Sequence, residues 1–165
     1  MINDKKYKKM IYFFLVLIIM EIGFIFYMYS KYKGESYFND NQIVNVKFPN
    51  GIISAEVANS LLKKEQGLSD RISLDEDKGM LFIFNSAQIL NFWMNKMNFP
   101  LDFVWINDDV VVDLSQNISF PNSENFSVKR VSPKNMANKV LEINSGLIKK
   151  LEIKIGDKIN FFILK

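Results

Sequence analysis

The stretch IVNVKFPNGIISAEVA, residues 43–58, contains two short runs rich in Val and Ile, separated by Pro49-Asn50-Gly51. Val and Ile favour strands because their branched side chains pack well on a pleated surface. Asn-Gly between two such runs is typical of a β-hairpin turn. The stretch therefore predicts two antiparallel strands, Ile43–Phe48 and Ile52–Ala58, and a fold built around a β-sheet.

The downstream sequence continues this pattern of short apolar runs between turn residues. Ser60 can cap a short helix over residues 61–66, and Gly67 can end it. A second short helix is expected over residues 145–152. Further strands are expected at residues 79–84, 89–94, 101–106, 110–114, 126–131, 139–143 and 158–164. Many short strands with two small helices predict a mainly β (β-rich α+β) domain with a compact barrel-like or sandwich-like fold.

Upstream lies an apolar run, MIYFFLVLIIMEIGFIFYMY, at residues 10–29. Twenty helical residues extend about 30 Å, which matches the hydrocarbon core of a bilayer. Glu21 would cost about 2.5–3.5 kcal/mol at mid-membrane if it behaves like Asp. The twelve Ile, Leu, Val and Phe residues contribute about −4 to −7 kcal/mol together, so the balance predicts a transmembrane helix.

Two other interpretations of this apolar run are less favoured by the sequence. A cleaved signal peptide needs small residues at its cleavage site, and the sequence EIGFIFYMYSKYK offers neither that pattern nor a lipobox cysteine. A buried core helix is disfavoured by the length of the run and by the lysines beside it. An uncleaved signal anchor is the favoured interpretation.

The charges around the anchor predict its orientation. Four lysines precede the span and two follow it closely, so the positive-inside rule places residues 1–9 in the cytoplasm. Residues 30–41 are polar and indicate a linker, and residues 42–165 would form a domain outside the cytoplasmic membrane, in the cell envelope. Residues 1–33 carry a net charge of +4, which leaves −1 for the remainder. The outer domain therefore lacks the basic surplus that nucleic-acid binding requires.

The composition excludes several kinds of chemistry. The chain contains no cysteine and no histidine, which removes Cys/His zinc sites, cysteine nucleophiles and the Ser-His-Asp triad. The acidic run at residues 75–77 lacks the spacing of an EF-hand and is more simply a solvated loop. Phosphate-binding, Rossmann and kinase signatures are also missing from the sequence. The sequence therefore predicts neither a metal site nor a cofactor.

Six motifs between residues 53 and 163 occur in the order found in one protein family. They are GL-x-x-R at 67–71, GMLFIF at 79–84, FWM at 92–94, PLDFVWI at 100–106, VLEINSG at 140–146 and IGD at 155–157. Through these motifs the outer domain resembles the domain of unknown function 192 family, also called uncharacterised protein family 0127. The resemblance implies a compact, mainly β fold, often with an N-terminal signal or anchor, and it implies no assigned activity.

The chain departs from this family in one motif. The family's usual run is FWMKNT, whereas residues 92–97 of this chain are FWMNKM. The family's lysine, asparagine and threonine fall on Asn95, Lys96 and Met97. If that polar triplet forms a site, this chain has altered it, or Lys96 substitutes from the neighbouring position.

The densest group of candidate site residues contains Trp93, Lys96 and Asp102. Trp93 could stack on a carbohydrate or another small polar ligand, with Lys96 and Asp102 as polar partners. In the alternative interpretation, Trp93 and Met94 belong to the core. Asp102 then accepts hydrogen bonds from nearby backbone N–H groups.

Arg71 and Glu142 complete the candidate set. Arg71 could pair with Asp102 or Glu142, either to stabilise the fold or to hold an anionic ligand. Glu142 alternates with apolar neighbours, so a solvated strand face would also explain it. Two carboxylates, Asp102 with Glu142 or Asp102 with Asp113, could hydrolyse a glycoside if they lie about 5–9.5 Å apart.

These observations favour an anchored protein of the cell envelope that binds an unknown small molecule, glycan or protein and is not an enzyme. Its binding contacts would be Arg71, Trp93, Lys96, Asp102 and Glu142, and its lipid partner would surround residues 10–29. One alternative is a carboxylate-dependent hydrolase that acts on envelope glycan or peptide. Another is a structural or assembly protein that acts through the anchor and Glu21.

Overall fold

The computed structural model describes residues 4–33, 38–121 and 128–163, with the side chains of residues 7–28 in the first range. The chain divides into two units, Met1–Tyr37 and Phe38–Lys165. Residues 34–37 of the expected linker lie outside the described residues, as do residues 126–127 and 164 of two expected strands. The second unit is the β-domain.

The N-terminal unit contains one helix, α1 (Asp4–Lys33). Its segment Tyr7–Met28 is long and apolar enough to cross a membrane, and none of it is buried within the protein. Within the ranges that the structure describes, this is the one helix with that property. The expected span, residues 10–29, lies inside α1.

The described part of the β-domain contains nine strands and two short helices. They are β1 (Ile43–Phe48), β2 (Gly51–Ala58), α2 (Leu61–Gln66), β3 (Lys78–Gln88), β4 (Phe92–Trp93), β5 (Leu101–Asn107), β6 (Val110–Ile118), β7 (Arg130–Val131), β8 (Ala137–Asn144), α3 (Leu147–Lys150) and β9 (Asn160–Phe162). Seven strands form one sheet in the order β6-β5-β8-β3-β2-β1-β9, and β4 pairs with β7.

The sheet is mixed and closes on itself. β1 and β2 form the expected hairpin, with Phe48 opposite Gly51 across the turn. β2 and β3 are parallel, so the chain must cross over between them, and α2 lies in this crossover. At the outer edges, Val110 of β6 bridges to Lys158, just before β9, and the N–H of Ile159 donates to the carbonyl of Asp109. These bonds join the two ends of the sheet into a barrel, which confirms the mainly β fold class.

Two apolar layers lie on the two faces of the strands. Alternate residues of β5 divide between them: Val104 and Ile106 face the inner layer, whereas Phe103 and Trp105 face the outer layer. The outer layer is completed by residues from the loop after α2 and from the segment around β4, including Leu68. This covered outer face of the sheet contains the candidate site.

Two expected strands are only two residues long in the part of the chain that the structure describes. In the run at 126–131, only Arg130–Val131 form a strand among the described residues. The apolar run at residues 89–94 forms only a two-residue strand, Phe92–Trp93, because β3 extends to Gln88. Leu90 and Met94 are buried in the outer layer, and the N–H of Met94 donates to the carbonyl of Lys129. The segment therefore packs over the sheet and is not a member of it.

Candidate functional site

A cavity of about 190 Å³ opens in the outer layer of the β-domain. Its walls come from α2 and the following loop, from β3, and from the segment around β4. The side chains that give it its chemical character are Lys64, Phe82, Phe84, Asn91, Trp93 and Glu142. An apolar cavity of about 150 Å³ accommodates benzene, so this volume suits one six-membered ring.

Glu142 lies on β8, between Met80 of β3 and Phe103 of β5. Its side chain is only 4% exposed. None of the described residues donates a hydrogen bond to its carboxyl group. The described side chains nevertheless contain no fully buried nitrogen or oxygen atom that lacks a hydrogen-bond partner. The carboxyl oxygens of Glu142 are therefore not fully enclosed by protein atoms, and the residue lines the cavity.

The electrostatic state of Glu142 follows from this burial. Removal from water raises the pKa of its carboxyl group to about 8, although the nearby charge of Arg71 acts to lower it. Near pH 7 the group is therefore mostly protonated, and it can donate a hydrogen bond. Strongly perturbed carboxyl groups in cavities are common at functional sites.

One glycine lines the cavity, and another allows two strands beside it to approach closely. A Cβ atom on Gly79 would lie 2.8 Å from the carbonyl oxygen of Glu142, so only glycine allows β3 to approach β8 this closely. Gly67 ends α2 with φ of 52°, in the left-handed region that favours glycine. The chain can therefore turn at Gly67 and bury Leu68 beside the cavity.

An aromatic cluster fixes β4 on the outer layer. The ring of Phe92 makes edge-to-face contacts, with centroid distances of 4.9 Å to Phe82, 6.3 Å to Phe84 and 5.9 Å to Phe103. Successive residues of a strand point to opposite sides, so Trp93 projects away from this cluster. It lines the cavity and is 47% exposed, which rules out the interpretation of Trp93 as a core residue.

Two polar side chains face the same space. The Nζ atom of Lys64 lies 4.6 Å from the ring centroid of Phe84. Burial lowers the pKa of this ammonium group, and the charge of Asp40 partly offsets the effect. The Oδ1 atom of Asn91 accepts a hydrogen bond of 2.7 Å from the hydroxyl of Ser132, which leaves the amide N–H groups of Asn91 available.

Asp102 lies elsewhere and has a structural role. It is fully buried, and its Oδ1 atom accepts a hydrogen bond of 2.8 Å from the N–H of Asn117. Its Oδ2 atom accepts bonds of 2.9 and 3.0 Å from the N–H groups of Gly146 and Ile148. Asp102 therefore holds the start of α3 against the barrel, as the backbone-acceptor interpretation predicts.

Arg71 pairs with neither of the partners that the sequence suggested. Its guanidinium group donates a 2.6 Å hydrogen bond to Glu56, and Lys63 forms an ion pair with the same carboxylate. Burial would raise the pKa of Glu56, but hydrogen bonds and charge from Lys63 and Arg71 outweigh it and lower the pKa. Arg71 thus acts on Glu142 only through its charge.

Lys96 lies on the surface. Its side chain is 65% exposed and its Nζ atom lies 3.9 Å from a carboxylate oxygen of Asp70. Its backbone has φ of 55°, which is unusual for a residue other than glycine or asparagine.

Of the five predicted site residues, the structure brings Trp93 and Glu142 to the cavity, with Arg71 near Glu142. Lys96 and Asp102 do not line the cavity.

The carboxylate pairs considered from the sequence do not converge. Asp102 is opposite Ile143 and Glu142 is opposite Phe103, so their side chains lie on different faces of the sheet. Asp113 is opposite Trp105 and shares the outer face, where its carboxylate accepts hydrogen bonds from backbone N–H groups. Neither Asp102 with Glu142 nor Asp102 with Asp113 can act on one bond.

Sequence reasoning missed the other side chains that give the cavity its character, Lys64, Phe82, Phe84 and Asn91, and also Glu65 of α2. Phe84 ends the GMLFIF motif and Asn91 immediately precedes FWM. The sequence around these two residues does not indicate which other segments pack against them. The expectation of a solvated strand face for Glu142 is also wrong, because the outer layer covers that face and leaves the side chain buried.

Comparisons with known proteins place the β-domain in a family. The profile of the DUF192 family, described as an uncharacterized ACR, matches residues 44–161. A protein of unknown function from Novosphingobium aromaticivorans DSM 12444 has a similar structure (TM-score 0.61, 29% identity, 72% of this chain and 83% of that chain covered). So has a proposed transcription regulator from Sinorhizobium meliloti 1021 (TM-score 0.63, 27% identity, 73% and 92% covered). The comparison with curated proteins gave no match. Since the family profile spans nearly the whole β-domain, the chain belongs to the DUF192 family.

Proposed function

We propose that this chain is a membrane-anchored protein whose β-domain lies outside the cytoplasmic membrane and binds a small ligand in the cavity beside Glu142 and Trp93. The observation that carries the proposal is the carboxyl group of Glu142, which is buried, has no hydrogen bond from the described residues and lines the cavity. Burying such a group costs free energy, and proteins keep such arrangements mainly at functional sites.

The membrane part of the proposal is supported by α1 and by the lysines around it. Four lysines before the apolar span and two after it favour a cytoplasmic N-terminus. We expect the chain to stay with membranes after an alkaline carbonate wash, and external protease to degrade the β-domain in intact spheroplasts. A mature polypeptide that starts beyond Tyr29 and is found free in the medium would contradict the anchor.

Nucleic acid is not part of this proposal. The description as a transcription regulator applies to the Sinorhizobium meliloti protein. Residues 34–165 of this chain carry a net charge of −1, which gives no general attraction to a phosphate backbone.

The binding part can be tested with the two tryptophans of the chain. Trp93 lines the cavity, whereas Trp105 is fully buried and donates a 3.0 Å hydrogen bond to the hydroxyl of Ser115. In a screen of single-ring fragments against the full chain in detergent, binders should shift the indole N–H resonance of Trp93 more than that of Trp105. Fragments whose binding is unchanged in Trp93→Ala would show that the cavity is not the site.

A hydrolase that acts on envelope glycan or peptide is a second candidate, and one observation favours it. Glu65 lines the same cavity as Glu142, whose carboxyl group is mostly protonated near pH 7. A protonated carboxyl with a second carboxyl nearby is the arrangement that glycoside hydrolysis uses. Turnover of cell-wall material by the purified chain, abolished in both Glu142→Gln and Glu65→Gln, would establish this function. Absence of turnover with retained binding would dismiss it.

A further inference from the structure

We infer that the cavity takes a single uncharged ring with several oxygen atoms, as in one unit of a carbohydrate. Its oxygens accept hydrogen bonds from Glu142, Asn91 and Lys64, and one face of the ring lies on Trp93. This inference rests on the proposed function of the cavity and adds the chemical class of the ligand.

The size and opening of the cavity set the first limit. Its volume of about 190 Å³ exceeds the ~150 Å³ that accommodates benzene, but it is far smaller than a site for a dinucleotide. Trp93 is 47% exposed at this site, so the cavity reaches solvent beside its ring. A free monosaccharide or the terminal unit of a longer glycan would therefore fit.

The aromatic side chains provide one surface for stacking. The face of Phe84 is already occupied by the ammonium group of Lys64. Phe82 packs edge-to-face against Phe92, within the cluster below. No described aromatic ring or cation covers Trp93, so its indole face is available to the apolar face of a sugar ring.

The polar side chains present hydrogen-bond donors. Asn91 retains its amide N–H groups because Ser132 occupies its oxygen, and the ammonium of Lys64 can only donate. With its pKa raised to about 8 by burial, Glu142 also donates through its O–H near pH 7. Three donors around one space call for a ligand with several acceptor oxygens.

The charges around the cavity favour an uncharged ligand. On α2, Lys64 and Glu65 both line the cavity and offset each other. Arg71, in the loop after α2, acts on Glu142 through its charge, but its guanidinium group is hydrogen-bonded to Glu56. β3 and β5 place Met80 and Phe103 beside Glu142, and neither carries a charge. A ligand cation would face Lys64 and also Arg130, which lies opposite Trp93 on β7, and a ligand anion would face Glu65.

Three probes with the same ring separate charge from shape: N-acetylglucosamine, glucosamine and glucuronate. Each is titrated near pH 6 into the full chain in detergent micelles, and the indole N–H resonance of Trp93 is followed by NMR. We expect N-acetylglucosamine to bind with a Kd on the order of 1 mM, and the two charged rings to bind at least about tenfold more weakly.

The dependence on pH tests the role of Glu142. Binding of N-acetylglucosamine should weaken about tenfold between about pH 7 and about pH 9.5, as the donor proton of Glu142 is lost. Glu142→Gln keeps an N–H donor, so it should bind within about threefold of the wild type and lose this pH step. Glu142→Leu should lose binding while it stays folded, and Lys47→Gln, at an exposed position of β1, should bind like the wild type.

Each remaining outcome counts against the inference in a distinct way. If glucosamine or glucuronate shifts Trp93 and N-acetylglucosamine does not, the ligand class is wrong and the cavity remains a binding site. The same holds if no sugar binds at about 50 mM while other single-ring fragments bind at Trp93. If Trp93→Ala changes the binding of no probe or fragment, both the ligand class and the proposed function fail.

Discussion

Asp102 and Glu142 occupy neighbouring antiparallel strands, and their carboxyl groups lie on opposite faces of the sheet because Asp102 is opposite Ile143 and Glu142 is opposite Phe103. The carboxylate of Asp102 accepts three backbone hydrogen bonds on the inner side. The carboxyl of Glu142 receives none from the described residues and lines a cavity on the outer side. The first group stabilises the fold and the second remains available, so substitutions should separate the two roles.

Replacement of Asp102 should destabilise the β-domain. Asp102→Ala leaves three backbone N–H groups without their acceptor, of which that of Ile148 is buried, and we expect the free energy of unfolding to fall by about 2–4 kcal/mol. Both tryptophans lie in the β-domain, so their fluorescence during chemical denaturation of the full chain in detergent reports on this unit alone. Asp109→Ala, at an exposed turn position, is the matched control and should change stability by less than about 0.5 kcal/mol. A loss below about 1 kcal/mol for Asp102→Ala would contradict the structural role.

Glu142→Gln should change how stability depends on pH. The pKa of Glu142 is about 8 in the folded protein and 4.5 ordinarily, so the folded state holds the proton more tightly. The stabilisation from this proton is fully present below about pH 4.5 and is lost as the pH rises through about 8. The total loss of stability over this range is a few kcal/mol.

The variant keeps the buried shape and cannot ionise. Its free energy of unfolding should therefore increase relative to wild type between about pH 5 and about pH 8, and the difference should level off at higher pH. If the difference in free energy of unfolding between Glu142→Gln and the wild type stays constant across this range, the pKa of Glu142 is the same in the folded and unfolded states.

Lys96→Asn should stabilise the protein slightly. Lys96 has φ of 55°, and asparagine adopts this conformation at lower cost than lysine. The ion pair that is lost, 3.9 Å from Asp70, is exposed and contributes little. We expect a gain of about 0.5–1 kcal/mol in denaturation, whereas β-branched Lys96→Val should lose stability. Equal stability of the two variants would rule out a backbone effect.

Arg71→Gln should raise the pKa of Glu142 further. The charge of Arg71 opposes the effect of burial on that carboxyl group, and the substitution removes it. The measurement is the NMR titration of the Glu142 carboxyl carbon in the variant and in the wild type. Lys96→Gln removes an equal charge from the surface and should leave the midpoint unchanged. A lower midpoint in Arg71→Gln would contradict the assigned direction.

The local elements of the β-domain could be predicted from the sequence because their signals are local. The hairpin is marked by Pro49-Asn50-Gly51, and α2 spans the six expected residues between Ser60 and Gly67. The hydroxyl of Ser60 accepts a hydrogen bond of 3.2 Å from the N–H of Lys63, as its position predicts. Strand alternation also predicts that Glu142 faces away from its apolar neighbours.

The cavity could not be predicted, because its walls come from distant parts of the chain. Lys64 arrives through the crossover between two parallel strands, and Trp93 arrives on a segment that packs over the sheet. Periodicity assigns Glu142 to a face but does not show what covers that face. The burial of Glu142, and with it the protonation on which the site depends, is decided by tertiary packing.

The protonation state of Glu142 is the central claim, and NMR titration of its carboxyl carbon in the full chain measures it directly. We predict a midpoint near pH 8, with the carboxyl protonated at neutral pH and able to donate to a ligand. A midpoint near 4.5 would mean that the group is solvated or paired in the folded protein, and the cavity would then lose its defining donor.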